Sequence, residues 1–102
     1  MNMELVITTE SNKTMAAVTG RLDATNSEEF EQKMQPMLSG ENPDITLDCS
    51  KLDYISSSGL RLFLILQKSV NTRNGKMTIR NLKPEIKEIF DMTGFSTIMQ
   101  IG

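Results

Sequence analysis

Residues 45–66 read ITLDCSKLDYISSSGLRLFLIL, and within them the hydrophobic period changes from that of a strand to that of a helix. Ile45, Leu47 and Cys49 alternate with Thr46 and Asp48, the pattern of a strand with one buried face. Leu52 and Ile55 flank Asp53 and Tyr54 in what reads as a short link. A serine run, Ser56-Ser57-Ser58, and Gly59 then open a segment rich in apolar residues: Leu60, Leu62, Phe63, Leu64, Ile65, Leu66 and Val70. Its polar positions Arg61, Lys68 and Asn71 fall on one side. This predicts a helix with a narrow wet stripe, the most buried helix of the fold.

The flanks repeat the strand-then-helix theme. Upstream, Met3–Thr9 alternates as a strand. Ser11-Asn12-Lys13 is a polar turn, and Met15–Thr19 is a second strand ended by Gly20, so the two form a hairpin. Thr25 and Glu28 have capping-box spacing. Phe30, Met34, Met37 and Leu38 follow at helical intervals, and Pro36 predicts a kink or an early end. Downstream, Asn74-Gly75 is a turn and Lys76–Leu82 a strand. Pro84 suits a first helical position, and Ile86, Ile89 and Phe90 mark a buried helix face. Gly94 can take the left-handed conformation that ends that helix. Ile98–Ile101 forms a short last strand. The order is ββαβαβα(β), an α/β fold with a mixed four- to five-stranded sheet and packed helices. The length of 102 residues makes it a single domain, residues 1–102.

Composition excludes several function classes. The formal charge is −2, with eleven Lys and Arg scattered among thirteen Asp and Glu. No basic stripe for nucleic acid is present. Histidine is absent, which removes every Ser-His-Asp or Cys-His mechanism. The single cysteine, Cys49, permits no internal disulfide and no Cys/His zinc cluster. It ends an apolar alternation and is expected to be buried and inert. The start of the chain lacks a signal-peptide pattern, and the apolar run Leu62–Leu66 is too short to insert in a membrane. These features fit a cytoplasmic chain. Asp48 and Asp53 are the one carboxylate pair near the serine run, and no nucleophile–base–orienter set accompanies them. The expectation is a protein that is not an enzyme and holds no metal or cofactor.

Three segments, in order, carry a resemblance. They are Gly20-Arg21-Leu22-Asp23 after the second strand, Leu47 through Leu60 with Ser56-Ser57-Ser58-Gly59-Leu60, and Phe90-Asp91-Met92-Thr93-Gly94-Phe95. Together they resemble the STAS domain of bacterial anti-sigma factor antagonists, over about residues 5–101. One departure stands out: Ser56 occupies the place of an aspartate in the family pattern. The resemblance implies a binding switch that sequesters an anti-sigma factor, often itself a serine protein kinase, and so releases a sigma factor. It places the phosphoacceptor at Ser57, with Ser58 as rival, and implies reversal by a PP2C-type phosphatase. It also implies a monomer when free, and a partner-binding end formed by Asp23, Ser56, Ser57, Ser58 and Gly59.

Each of these residues has a plainer reading. Serine is a favoured helix N-cap, so the run is explained by capping alone, and the two readings coexist if Ser56 caps while Ser57 is exposed. Gly59 either relieves crowding against the sheet or admits a partner's close approach. Asp23 is either the polar end of a turn or part of the partner face. The eight methionines are mostly core filler. Met92 and Phe95 are core or an exposed apolar patch. A different class of function is a STAS-like subunit of a larger assembly, such as a lipid-transport complex, without phosphate chemistry.

Overall fold

A hairpin opens the computed structural model, which describes residues 3–102. Strand β1 (Glu4–Glu10) turns at Ser11, whose φ is 57°, into β2 (Lys13–Leu22). Helix α1 (Ser27–Lys33) and a 3-10 turn (Gln35–Leu38) lead to β3 (Asp44–Ile55). Then follow α2 (Ser57–Thr72), β4 (Lys76–Arg80), α3 (Pro84–Met92), a second 3-10 turn (Phe95–Thr97) and β5 (Gln100–Ile101). The sheet order is β1-β2-β3-β4-β5. β1 runs antiparallel to β2 and every other neighbouring pair is parallel, so the sheet is mixed, as the element order predicts.

One face of the sheet is covered and the other is open. Ala16, Val18, Leu22, Ile45, Leu47, Leu52, Met77 and Ile79 join Phe30, Leu62, Phe63, Leu66 and Phe90 in a single buried cluster. Val6 and Met15, on the opposite pleat, are about half exposed at 50% and 46%. Phe63 of α2 is the hub. Its ring centroid lies 6.1 Å from Phe30 of α1 and 6.0 Å from Phe90 of α3, which in turn meets Phe95 at 6.4 Å, nearly edge-on. Such tilted pairs add to the burial of large apolar area. Of the methionines, Met3, Met34, Met37, Met77 and Met99 are core, while Met15 and Met92 are exposed. Met1 lies outside the described residues.

Pro36 acts as its chemistry requires. Lacking an N–H, it sits at the start of the 3-10 turn, and α1 stops at Lys33. Carbonyls in the 3-10 turn and just beyond it are collected by Arg73. Its guanidinium donates to Met37 O at 2.7 Å, Ser39 O at 2.7 Å and Gly40 O at 3.3 Å. A planar fork of five donors suits this task better than an ammonium would.

Five expectations about element limits are corrected. Gly20 does not end β2; with φ at 88° it lies within a strand that continues to Leu22. Leu52–Ile55 is not a link but the end of β3, where Leu52, Tyr54 and Ile55 pair with β2 and Asp53 is bulged out of the ladder. The strand after Asn74-Gly75 stops at Arg80, not Leu82, and the last strand is only Gln100–Ile101, with Ile98 51% exposed. Thr25 and Glu28 form no capping box. The N-cap of α1 is Asn26, and no side chain caps that helix. Gly94, at φ 81°, does follow the end of α3.

Cys49 is buried on the core side of β3. Burial first, and then the charge of Asp48, pushes its thiol up to about 12. Since the thiolate is the reactive form, the native protein is expected to resist iodoacetamide at pH 8. It should label fully in denaturant, as mass spectrometry can show; rapid labelling of the folded chain would contradict this burial.

Candidate functional site

The two segments singled out on either side of α1 meet at the C-terminal end of the parallel strands. β2 leaves the sheet at Leu22, whose carbonyl accepts a 2.9 Å hydrogen bond from the backbone N–H of Ser56. This bond brings the Asp23 turn and the serine run to one end of the molecule.

The Asp23 turn is fastened by its own polar residues. Asp23 Oδ1 accepts from Thr25 N at 3.0 Å and from Thr25 Oγ1 at 2.5 Å. Asn26 Oδ1 accepts from Asp23 N at 3.0 Å, and Asn26 Nδ2 donates to Arg21 O at 2.7 Å. The hydroxyl and amide of Thr25, helped by the nearby Arg21, hold the Asp23 carboxyl below its ordinary range. Asp23 therefore stays an anion at physiological pH and fastens its own turn.

The serine run divides its labour. Ser56 is the N-cap of α2, in extended conformation, and its Oγ accepts from Gly59 N at 3.3 Å. Ser57 is the first helical residue and is exposed; Ser58 is half-buried. Gly59 is buried, and a Cβ there would lie 2.8 Å from both Ile55 Cγ1 and Leu22 Cγ. The crowding reading of Gly59 thus has a definite structural cause. Gly59→Ala is expected to destabilise the fold by about 1–3 kcal/mol through overpacking. Urea denaturation checks it, and an unchanged midpoint would show that α2 can move away at no cost.

Around this end lie charged and aromatic groups that linear spacing does not reveal. Arg21 and Tyr54 are partners in the β2–β3 register, and the guanidinium sits 4.3 Å from the Tyr54 ring centroid. That geometry is a cation–π contact. Lys83, before α3, pairs with Asp53 of β3. Asp48 accepts from Asn81 Nδ2 and from Ser50 N, both at 3.1 Å; Asn81 first and Ser50 second hold its carboxyl low. Asp48 and Asp53 therefore have separate partners and form no catalytic couple. Phe95 packs on Phe90, as the core reading of that residue requires, whereas Met92 is 79% exposed. Among the described residues no group of three or more His, Cys, Asp or Glu is placed to hold a metal, and no helix is long and apolar enough to cross a membrane.

With this geometry in view, comparison with known proteins defines the class. The STAS domain family's sequence profile matches residues 4–102, and the chain belongs to that family. Among relatives, it is 28% identical over 102 residues to an anti-sigma-B factor antagonist of Staphylococcus aureus, covering 100% of this chain and 94% of that protein. It is 29% identical over 100 residues to BtrV of Bordetella bronchiseptica, covering 98% and 86% respectively. The fold matches the anti-sigma factor antagonist SpoIIAA in its unphosphorylated form with TM-score 0.80 at 19% identity, over 97% of this chain and 88% of that one. It matches the Bacillus cell fate determinant SpoIIAA in the phosphorylated form with TM-score 0.72 at 18% identity, over 99% and 91%.

Proposed function

We propose that this chain is an anti-sigma factor antagonist, a cytoplasmic switch that works by binding and not by catalysis. Unphosphorylated, it engages an anti-sigma factor that is also a serine kinase, and so releases a sigma factor. The contact uses the end that carries Asp23 and the serine run. The observation that carries this reading is the placement of Ser57: exposed, outside the cap made by Ser56, at the start of α2 beside the Asp23 turn. The names of the S. aureus and SpoIIAA relatives support the same reading.

The switching step is phosphoryl transfer from ATP. A bond forms between Ser57 Oγ and the γ-phosphorus, the bond to the β–γ bridging oxygen breaks, ADP leaves, and the hydroxyl proton passes to a base on the kinase. A PP2C-type phosphatase restores the hydroxyl. The helix start accommodates the new charge within the free domain, which is taken to be a monomer, because its N–H groups and partial positive charge face the anion. Pull-down from the native cell tests the partner class. Recovery of an anti-sigma factor supports the proposal, and recovery of transporter subunits alone would transfer support to the assembly-subunit reading, which no present observation favours.

A further inference from the structure

We propose that Arg61 holds the phosphate of phosphorylated Ser57, so that the switched-off form carries its own counter-charge. The inference rests on reading Ser57 as the phosphoacceptor.

Ser57 is the first residue of α2, and Arg61 stands four residues further along the same helix. Side chains at that spacing are neighbours on one face, about 5–6 Å apart at Cβ. Helical Cα–Cβ bonds tilt toward the N-terminus, so a long side chain at position 61 covers the turn that contains Ser57. Both residues are exposed. Among the described residues Arg61 takes part in no ion pair. Asp23 and Asp53 are engaged by Arg21 and Lys83, and the first turn of α2 holds no acid.

A phosphate on Ser57 adds about −1.5 to −2 charge and three acceptor oxygens. The guanidinium fork can take two of those oxygens at once, which a lysine cannot. Phosphorylation would then place a clamped dianion over the partner-facing end and withdraw an exposed cation from it. Arg61 acts through the phosphate and is a positioning residue.

The test needs no kinase. Phosphoserine is installed genetically at position 57 in the wild-type chain, in Arg61→Gln and in Arg61→Lys, and its second ionisation is followed by 31P NMR. The ordinary midpoint is near pH ~6. An adjacent guanidinium favours the dianion, so Arg61→Gln should raise the midpoint by about 0.2–0.4 unit, with Arg61→Lys between. The unphosphorylated variants should melt with wild type, because Arg61 is exposed. Equal midpoints in all three proteins would overturn the inference while leaving the Ser57 switch intact. A raised midpoint in Arg61→Gln would sustain the pairing even if no kinase labels Ser57, in which case the switch reading alone fails.

Discussion

Phosphate on Ser57 is expected to weaken binding of the anti-sigma factor by about a hundredfold, a loss of about 3 kcal/mol at tenfold per 1.4 kcal/mol. The free domain has little reason to resist the modification. Ser57 is exposed, and the cap of α2 is made by Ser56. A closely packed partner is different. It must strip water from a group carrying about −1.5 to −2 charge, and any facing carboxylate repels that charge. Ser57→Ala should therefore bind with wild-type affinity and ignore the kinase. Ser57→Asp should bind weakly and remain folded, since an acid at the first turn suits the helix dipole. Calorimetric titration of the purified anti-sigma factor against the three proteins measures this. Equal affinity of the phosphorylated and unphosphorylated forms would remove the switch.

Phe63→Ala is expected to destabilise the fold by about 3–5 kcal/mol. Phe63 is fully buried and its ring links Phe30 of α1 to Phe90 of α3, so truncation leaves a cavity that three helices border. A domain of this size has about 5–15 kcal/mol in total. The variant should therefore show a large fall in its urea midpoint with an unchanged slope. A loss under 1 kcal/mol would mean that the aromatic row is not the centre of the core. Leu64, in the same apolar run, is only half-buried, and the large penalty does not extend to it.

The helical half of the fold was plain in the linear pattern because each helix carries its own period. The run after Gly59, the break at Pro36 and the stop at Gly94 are all local events. The strand limits were not local. Between Ala17 and Thr19 of β2, the partner β3 advances from Asp48 to Lys51, and between Gly20 and Arg21 it advances from Leu52 to Tyr54. Each step inserts one extra residue in β3. Two such bulges break the alternation there, so Leu52–Ile55 imitates a link and Gly20 imitates a stop. The site followed the same division. Ser56 as cap and Ser57 as exposed neighbour follow from helix chemistry, whereas the Arg21–Tyr54 stack depends on the bulged register. The spacing of Thr25 and Glu28 misled because the helix starts one residue later than a box would need: Asn26 is the N-cap, and Thr25 belongs to the Asp23 turn, to which its hydroxyl donates.

The central claim is that Ser57 is the switch, and phosphosite mapping addresses it most directly. The wild-type chain, Ser57→Ala and Ser58→Ala are incubated with the cognate kinase and ATP, and the labelled residue is located by mass spectrometry. The account predicts phosphate on Ser57 in wild type and in Ser58→Ala, and none in Ser57→Ala. Labelling of Ser57→Ala at the wild-type level, with loss of label in Ser58→Ala, would contradict it and move the switch by one residue; no label in any of the three would end the phosphorylation reading altogether.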